Sequence, residues 1–194
     1  MLLKSVVLTC SVAAIITSAW PAAVGQQPGL SPGNQRVIAD FNRKVSDYAE
    51  LHRRLEGPVP TVKISADPDE VRQAMAALAR KIRAERVRAR QGDLFTPAAG
   101  PVFRKLSAVG CGGDIEGLHA IANEENPYVA TWHPRVNASY PDHLPFSMIP
   151  PSVLCSLPAL PEELQFRFWD RSLLLWDYHA NLIVDILPDA LPST

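Results

Sequence analysis

Three ionisable residues near the carboxyl end of the chain, Asp177, His179 and Asp185, have side chains that could carry chemistry. A carboxylate beside an imidazole can transfer protons or bind a divalent metal. A hairpin loop, by contrast, uses polar side chains simply because its turn geometry favours them. Since the sequence identifies no third partner for Asp177 and His179, it assigns no metal site, no cofactor and no catalytic residue.

The expected strand register separates the two aspartates. If residues 178–181 form the hairpin loop, Asp177 opposes Leu182 and Asp185 opposes Leu174. Side chains alternate between the faces of a strand, so this register places Asp177 and Asp185 on opposite faces of the sheet. The pattern therefore excludes a pair of cooperating carboxylates.

Cys111 is a second candidate for chemistry, because it lies in the glycine-rich segment 110–113 just before a predicted helix. The backbone N–H groups and dipole of a helix N-terminus can lower a thiol pKa. A nucleophilic cysteine also needs a neighbouring base and an oxyanion site, and the local sequence supplies neither. A small secreted hydrolase that uses Cys111 or the Asp177/His179 region is therefore an alternative hypothesis.

Residues 80–90 are strongly basic, with six Lys or Arg and one Glu. At about 100° per residue, these cations spread around the helix instead of forming one ridge. Binding of an anionic polymer or lipid surface is a second alternative hypothesis. The formal net charge of the whole chain is −1, which argues against a general nucleic-acid-binding protein.

Residues 1–25 have the pattern of a signal peptide: Lys4 precedes an uncharged apolar run, and small residues end at Gly25. Cleavage is expected after Gly25. Later segments do not reach the length and apolarity of a membrane span. The sequence thus predicts a soluble protein that is secreted or periplasmic.

Export would place the remaining cysteines in an oxidising compartment. Cys10 lies in the leader, and the mature chain keeps Cys111 and Cys155. In an oxidising compartment, two cysteines are expected to form a disulfide. A closed loop of roughly 44 residues would contribute about 4 kcal/mol in the chain-entropy model.

The periodicity of the mature chain predicts an α+β fold, with N-terminal amphipathic helices packed on a small C-terminal antiparallel meander. Residues 26–34 read as a flexible lead-in, and residues 35–192 as a single domain. Within that domain, residues 35–125 are expected to be helical and 126–192 to hold proline-rich loops and the meander. The predicted strands are 164–168, 172–177 and 182–187.

The segment LPALPEELQFRFWDRSLLLWDYHANLIVDILPDAL (157–191), with residues 91–97 and 135–137, resembles an uncharacterised family of small exported bacterial proteins. The resemblance implies an exported protein that folds as one unit, and it brings no activity or catalytic residues. The preferred hypothesis is an exported, soluble, non-enzymatic domain that binds or supports an unknown envelope or extracellular component.

Overall fold

The computed structural model describes residues 30–110, 112–114, 116–118, 120, 131–145 and 149–191. The expected leader, residues 1–25, and the predicted disulfide partner Cys111 lie outside the described residues. Residues 26–29 of the predicted lead-in, and residues 121–130 around the predicted boundary between the helical and loop regions, also lie outside the described residues.

The first helix, α1, spans Pro32–Glu56. It begins earlier than expected, and the predicted lead-in of residues 26–34 is wrong in its last three positions. Ser31 caps the helix, because its side chain accepts from the Asn34 N–H, and proline suits the first helical position. Gly57 ends the helix with a φ of 90°, a conformation that glycine adopts without strain.

A short 3₁₀ helix, Thr61–Lys63, leads to α2, which spans Pro68–Glu85. Asp67 caps α2 as expected, accepting from the Asp69 N–H at 2.8 Å. The helix ends before its expected limit near residue 91: Arg86 is its C-cap, with a backbone N–H that donates to the Ile82 and Arg83 carbonyls. Two further helices are α3, Ala99–Gly110, and α4, Pro151–Ser156.

The C-terminal strands form an antiparallel meander in the order β1-β2-β3. They span Leu164–Trp169, Ser172–Asp177 and Leu182–Leu187, which confirms the α+β prediction and the three predicted strands. Asp170 makes the first turn with a φ of 51°, and Asn181 ends the second loop with a φ of 46°. Both residue types tolerate this left-handed region better than most.

A β-bulge corrects the predicted register of β3. Asp177 pairs with Leu182 as expected, but Asp185 pairs with Leu175 instead of Leu174. Val184 is the extra residue that causes this shift. Directly opposed residues share a face, so Asp185 lies on the same face as Leu175 and Asp177. The prediction that the two aspartates occupy opposite faces is therefore wrong.

The helices cover one face of the sheet, and the segment 132–144 covers the other. On the helical face, four stacked or edge-on aromatic rings form the centre of the core: Phe41, Phe95, Phe103 and Phe166. On the opposite face, Trp132 and Tyr140 pack against Trp169 and Trp176. Among the described residues, no helix is both long and apolar enough to cross a bilayer.

Candidate functional site

Helix α1 carries three polar side chains to the hairpin end of the sheet. Tyr48, His52 and Glu56 follow one another at intervals of four residues, so they lie along one face of the helix. This face continues the apolar stripe of Phe41 and Val45, which packs on the sheet. The helix therefore places an imidazole and a carboxyl group where the next core residues would be.

The β2–β3 hairpin supplies the opposing groups. Asp177 is the last residue of β2, and its Oδ1 accepts from the Ala180 N–H at 2.9 Å, which closes the loop on itself. His179 lies in this loop. The Tyr178 N–H donates to the Glu163 carbonyl at 3.2 Å, which fixes the loop against the chain that enters β1. The backbone therefore holds both Asp177 and His179 towards α1.

The four groups form one connected cluster, hereafter the His52 cluster: His52, Glu56, Asp177 and His179. His52 Nδ1 lies 2.6 Å from Asp177 Oδ2, and His52 Nε2 lies 3.0 Å from Glu56 Oε2. His179 Nδ1 lies 3.0 Å from Glu56 Oε1 and 3.3 Å from Oε2. Tyr48 adds an O–H donor to Asp177 Oδ2 at 2.6 Å.

The chain after α1 fixes the Glu56 carboxylate. The Thr61 N–H donates to Glu56 Oε1 at 2.6 Å, because the turn at Gly57 brings the 3₁₀ helix back over the end of α1. Burial on its own raises the pKa of Glu56, but the bonds from Thr61, His179 and His52 outweigh it and lower the pKa. Glu56 is therefore held as a carboxylate.

The carboxylates also set the charge preference of His52. Burial on its own lowers the pKa of His52, but the bonds and charges of Asp177 and Glu56 outweigh this effect, so the pKa is raised. Burial, together with the Asp177 charge, raises the pKa of Tyr48 well above its usual value near 10. Tyr48 consequently acts as a neutral donor to Asp177.

This arrangement can hold a divalent metal. One nitrogen from each of His52 and His179 and one Glu56 oxygen lie within 4.8 Å of one another. In a tetrahedral zinc site with bonds of about 2.0–2.1 Å, ligand atoms are separated by roughly 3.3 Å. The distances from Glu56 Oε2 to His52 Nε2, 3.0 Å, and to His179 Nδ1, 3.3 Å, are close to this spacing.

The charges of the cluster also favour a bound cation. Glu56 and Asp177 together bring two negative charges into a buried site, and such charges need nearby compensation. One divalent cation supplies it, and a proton on His52, whose pKa is raised, supplies part of it. The cluster therefore favours a cation between its two carboxylates.

The His52 cluster is closed to solvent. The side chains of His52, Glu56 and His179 are 0%, 5% and 4% exposed, and Asp177 is fully buried. Beside the cluster, Arg53 donates to Glu163 at 2.5 Å and ties α1 to the start of β1. Asp177 and His179 therefore face α1 and not an open cleft.

Asp185, the third ionisable residue of the sequence pattern, serves another segment. Its carboxylate accepts backbone N–H bonds from Gly92, Leu94 and Phe95, and also from Ile186, at 2.7–2.8 Å. Burial raises the pKa of Asp185, and these four bonds oppose the shift. The residue organises the loop after α2 and does not join the His52 cluster.

The other sequence candidates lie elsewhere. Cys155 is exposed on α4. In the basic segment 80–90, Lys81 donates to the Leu55 carbonyl, Arg83 to the Asn137 carbonyl, and Arg86 to the Val184 carbonyl. Half of the six cations therefore make contacts within the fold, which weakens the case for an anionic-surface binder.

His52 and Glu56 are not among the residues that the sequence predicts for a site. Their signal was an ionisable pair four residues apart, with His52 four residues after the core residue Tyr48. This position on the apolar stripe was available from the sequence, whereas the partnership with Asp177 and His179 depends on the tertiary fold. Comparisons with protein-family models, curated proteins and solved structures find no match for this chain.

Proposed function

We propose that this chain is an exported, non-enzymatic domain that binds one zinc-type divalent ion through His52, Glu56 and His179. The observation that carries the proposal is the convergence of two imidazole nitrogens and a carboxylate oxygen within 4.8 Å in a buried site. Mixed nitrogen and oxygen ligands suit zinc better than calcium or magnesium, which prefer oxygen ligands alone.

Burial favours a holding role over catalysis. A catalytic zinc has three protein ligands and a fourth position open to substrate, whereas a structural zinc is enclosed, usually by four protein ligands. The three ligands found here match the catalytic number, but their burial closes the fourth position to a substrate. Here the ligands join an N-terminal helix to a C-terminal hairpin and leave little side-chain surface exposed. A bound ion would fasten these two parts of the fold together, and the hydrolase hypothesis for Asp177 and His179 loses support.

Metal analysis tests the proposal. The full chain is expressed with its leader, purified from the periplasm without chelators, and assayed for bound metals by mass spectrometry. Zinc titration against a competing chelator should give one site per chain, and cobalt substitution should give the intense visible bands of a tetrahedral site. A folded wild-type protein that binds neither ion would overturn the proposal.

Matched histidine variants locate the site. His179→Ala and Glu56→Gln should each abolish stoichiometric binding, since each removes one ligand. His133→Ala provides the control, because His133 is exposed and lies outside the cluster. Circular dichroism of each variant establishes that it is folded. Binding that survives in both ligand variants but not in the control would place the metal elsewhere.

The exported state is part of the proposal and rests on the leader pattern of residues 1–25. Mass spectrometry of the natural product should find a mature N-terminus at Gln26 in the periplasm or medium, and an intact chain in the cytosol would contradict export. For an envelope partner, crosslinking in intact cells should recover one dominant component. Recovery of the uncrosslinked chain alone would argue against a partner.

The proposed Cys111–Cys155 disulfide rests on export to an oxidising compartment, and Cys155 itself is exposed on α4. A Cβ built on Gly110 would lie 2.5 Å from the Val153 Cα, so α3 and α4 approach at backbone distance. Cys155 lies on α4, and Cys111 follows Gly110 in the sequence. Denatured periplasmic protein should show no free thiols before reduction and two after it; two free thiols beforehand would refute the bridge.

A further inference from the structure

Asp177 has an unusual position in the His52 cluster. Its carboxylate lies beyond the three metal-ligand candidates and contacts one of them, with Oδ2 at 2.6 Å from His52 Nδ1. The same Oδ2 accepts from the Tyr48 O–H, and Oδ1 accepts from the Ala180 N–H. With three donors in fixed directions, the carboxylate is held rigidly between α1 and the hairpin.

Because of this contact, His52 can bind a metal only through Nε2. A neutral imidazole carries a single N–H, and a carboxylate at Nδ1 draws that proton to Nδ1. Nε2 then has a free lone pair, and Nε2 is the nitrogen that faces Glu56 at 3.0 Å. Carboxylates that accept from a metal-bound histidine in this manner commonly orient the ring and strengthen the metal bond.

His179 has the opposite arrangement. Its Nδ1, and not its Nε2, lies within 3.3 Å of both Glu56 oxygens. The hairpin loop carries His179 and α1 carries His52, so the two rings enter the site from different elements. They meet at a centroid distance of 5.4 Å and an interplanar angle of 61°.

From these contacts we infer that Asp177 is the positioning residue of the metal site, fixing His52 so that zinc is bound by His52 Nε2 and His179 Nδ1. The inference rests on the proposed metal-binding function. Asp177 would then affect metal affinity through His52, without contacting the ion. The two histidines would bind the ion through different ring nitrogens.

The test compares two buried aspartates. Asp177→Asn keeps the side-chain size and removes the charge at His52, so zinc affinity should fall about 10- to 100-fold. Asp185→Asn is the matched control: Asp185 is equally buried on the same face, but its hydrogen bonds go to backbone N–H groups. Its zinc affinity should equal that of the wild type even where its thermal stability falls.

Imidazole nitrogen NMR on the zinc-loaded wild type gives a readout that needs no variant. His52 should show a protonated Nδ1 and a zinc-shifted Nε2, and His179 a zinc-shifted Nδ1. Coordination of His52 through Nδ1, or wild-type affinity in folded Asp177→Asn, would refute the role of Asp177 while leaving zinc binding intact. Absence of zinc binding in the wild type would instead remove the proposed function itself.

Discussion

Asp177 and Asp185 offer an internal comparison between two regions of one sheet. Both are fully buried, both lie on the helical face, and both connect the meander to the N-terminal half of the chain. Asp177 is bonded to ionisable side chains, whereas Asp185 is bonded to backbone N–H groups alone. Backbone donors cannot change their charge or bind a cation. The partners of a buried carboxylate, more than its burial, therefore determine whether it belongs to a chemically active cluster.

The largest expected effect comes from Asp185→Ala. This change leaves three buried N–H groups and the half-buried Gly92 N–H without an acceptor, and each unsatisfied buried group costs about 1–3 kcal/mol. We expect the free energy of unfolding in urea to fall by about 4 kcal/mol or more. If Asp185→Ala instead unfolds like the wild type, the contrast between the two aspartates disappears.

The second-largest expected effect is the loss of stability when metal is removed from the Asp177 region. With free zinc 100-fold above its Kd, binding adds about 2.7 kcal/mol to stability. For a domain of this size, a chelator should then lower the melting temperature by roughly 5–10 °C. His179→Ala, measured with and without chelator, should show no such shift. An equal shift in His179→Ala would show that the stabilisation does not come from metal bound at the His52 cluster.

Arg86 contacts residues next to both aspartates, so its substitution tests how strongly the Asp177 and Asp185 regions are joined. Its guanidinium donates to the Val184 carbonyl and the Asn137 side chain, and it lies 5.0 Å from the Tyr48 ring centre. Arg86→Lys keeps the charge but loses the planar fork, and should cost about 1.5 kcal/mol in urea unfolding. Arg80→Lys, at an exposed position of α2, is the control and should be neutral.

The smallest effect should appear on the opposite face of the sheet. Burial raises the pKa of Tyr140 to about 12, above the value near 10 of an unfolded chain. Its contribution to stability is therefore present below pH 10 and is lost as the pH rises towards 12. Urea unfolding at pH 9, 10 and 11 should show a shallower decline in Tyr140→Phe than in the wild type. Identical slopes would contradict a raised Tyr140 pKa.

Local sequence signals were sufficient for the secondary structure of the sheet. Short-range rules predict a strand from the alternation at 164–168 and a turn from the loop at 178–181, which ends in Asn181. The Asp67 cap was equally readable, because capping depends on neighbours a few residues away. The α+β arrangement followed from these elements.

The position of Asp185 could not be predicted by counting alternation. Alternation assumes an unbroken ladder, and the extra residue Val184 reverses the orientation of every position after it. The cluster was missed for a different reason: His52 and His179 are 127 residues apart in the chain, and only packing of α1 on the hairpin joins them. Distances of this kind depend on the tertiary fold.

The bulge at Val184 determines which face of the sheet carries the Asp185 carboxylate. If β3 paired with β2 without the bulge and kept all its residues, Asp185 would lie opposite Leu174, and its carboxylate would turn towards Trp132 and Tyr140, away from the loop it organises. Deleting Val184 would instead leave Asp185 opposite Leu175, so the shortened strand should keep the carboxylate on that loop. One extra residue in β3 thus decides which layer of the protein receives a negative charge.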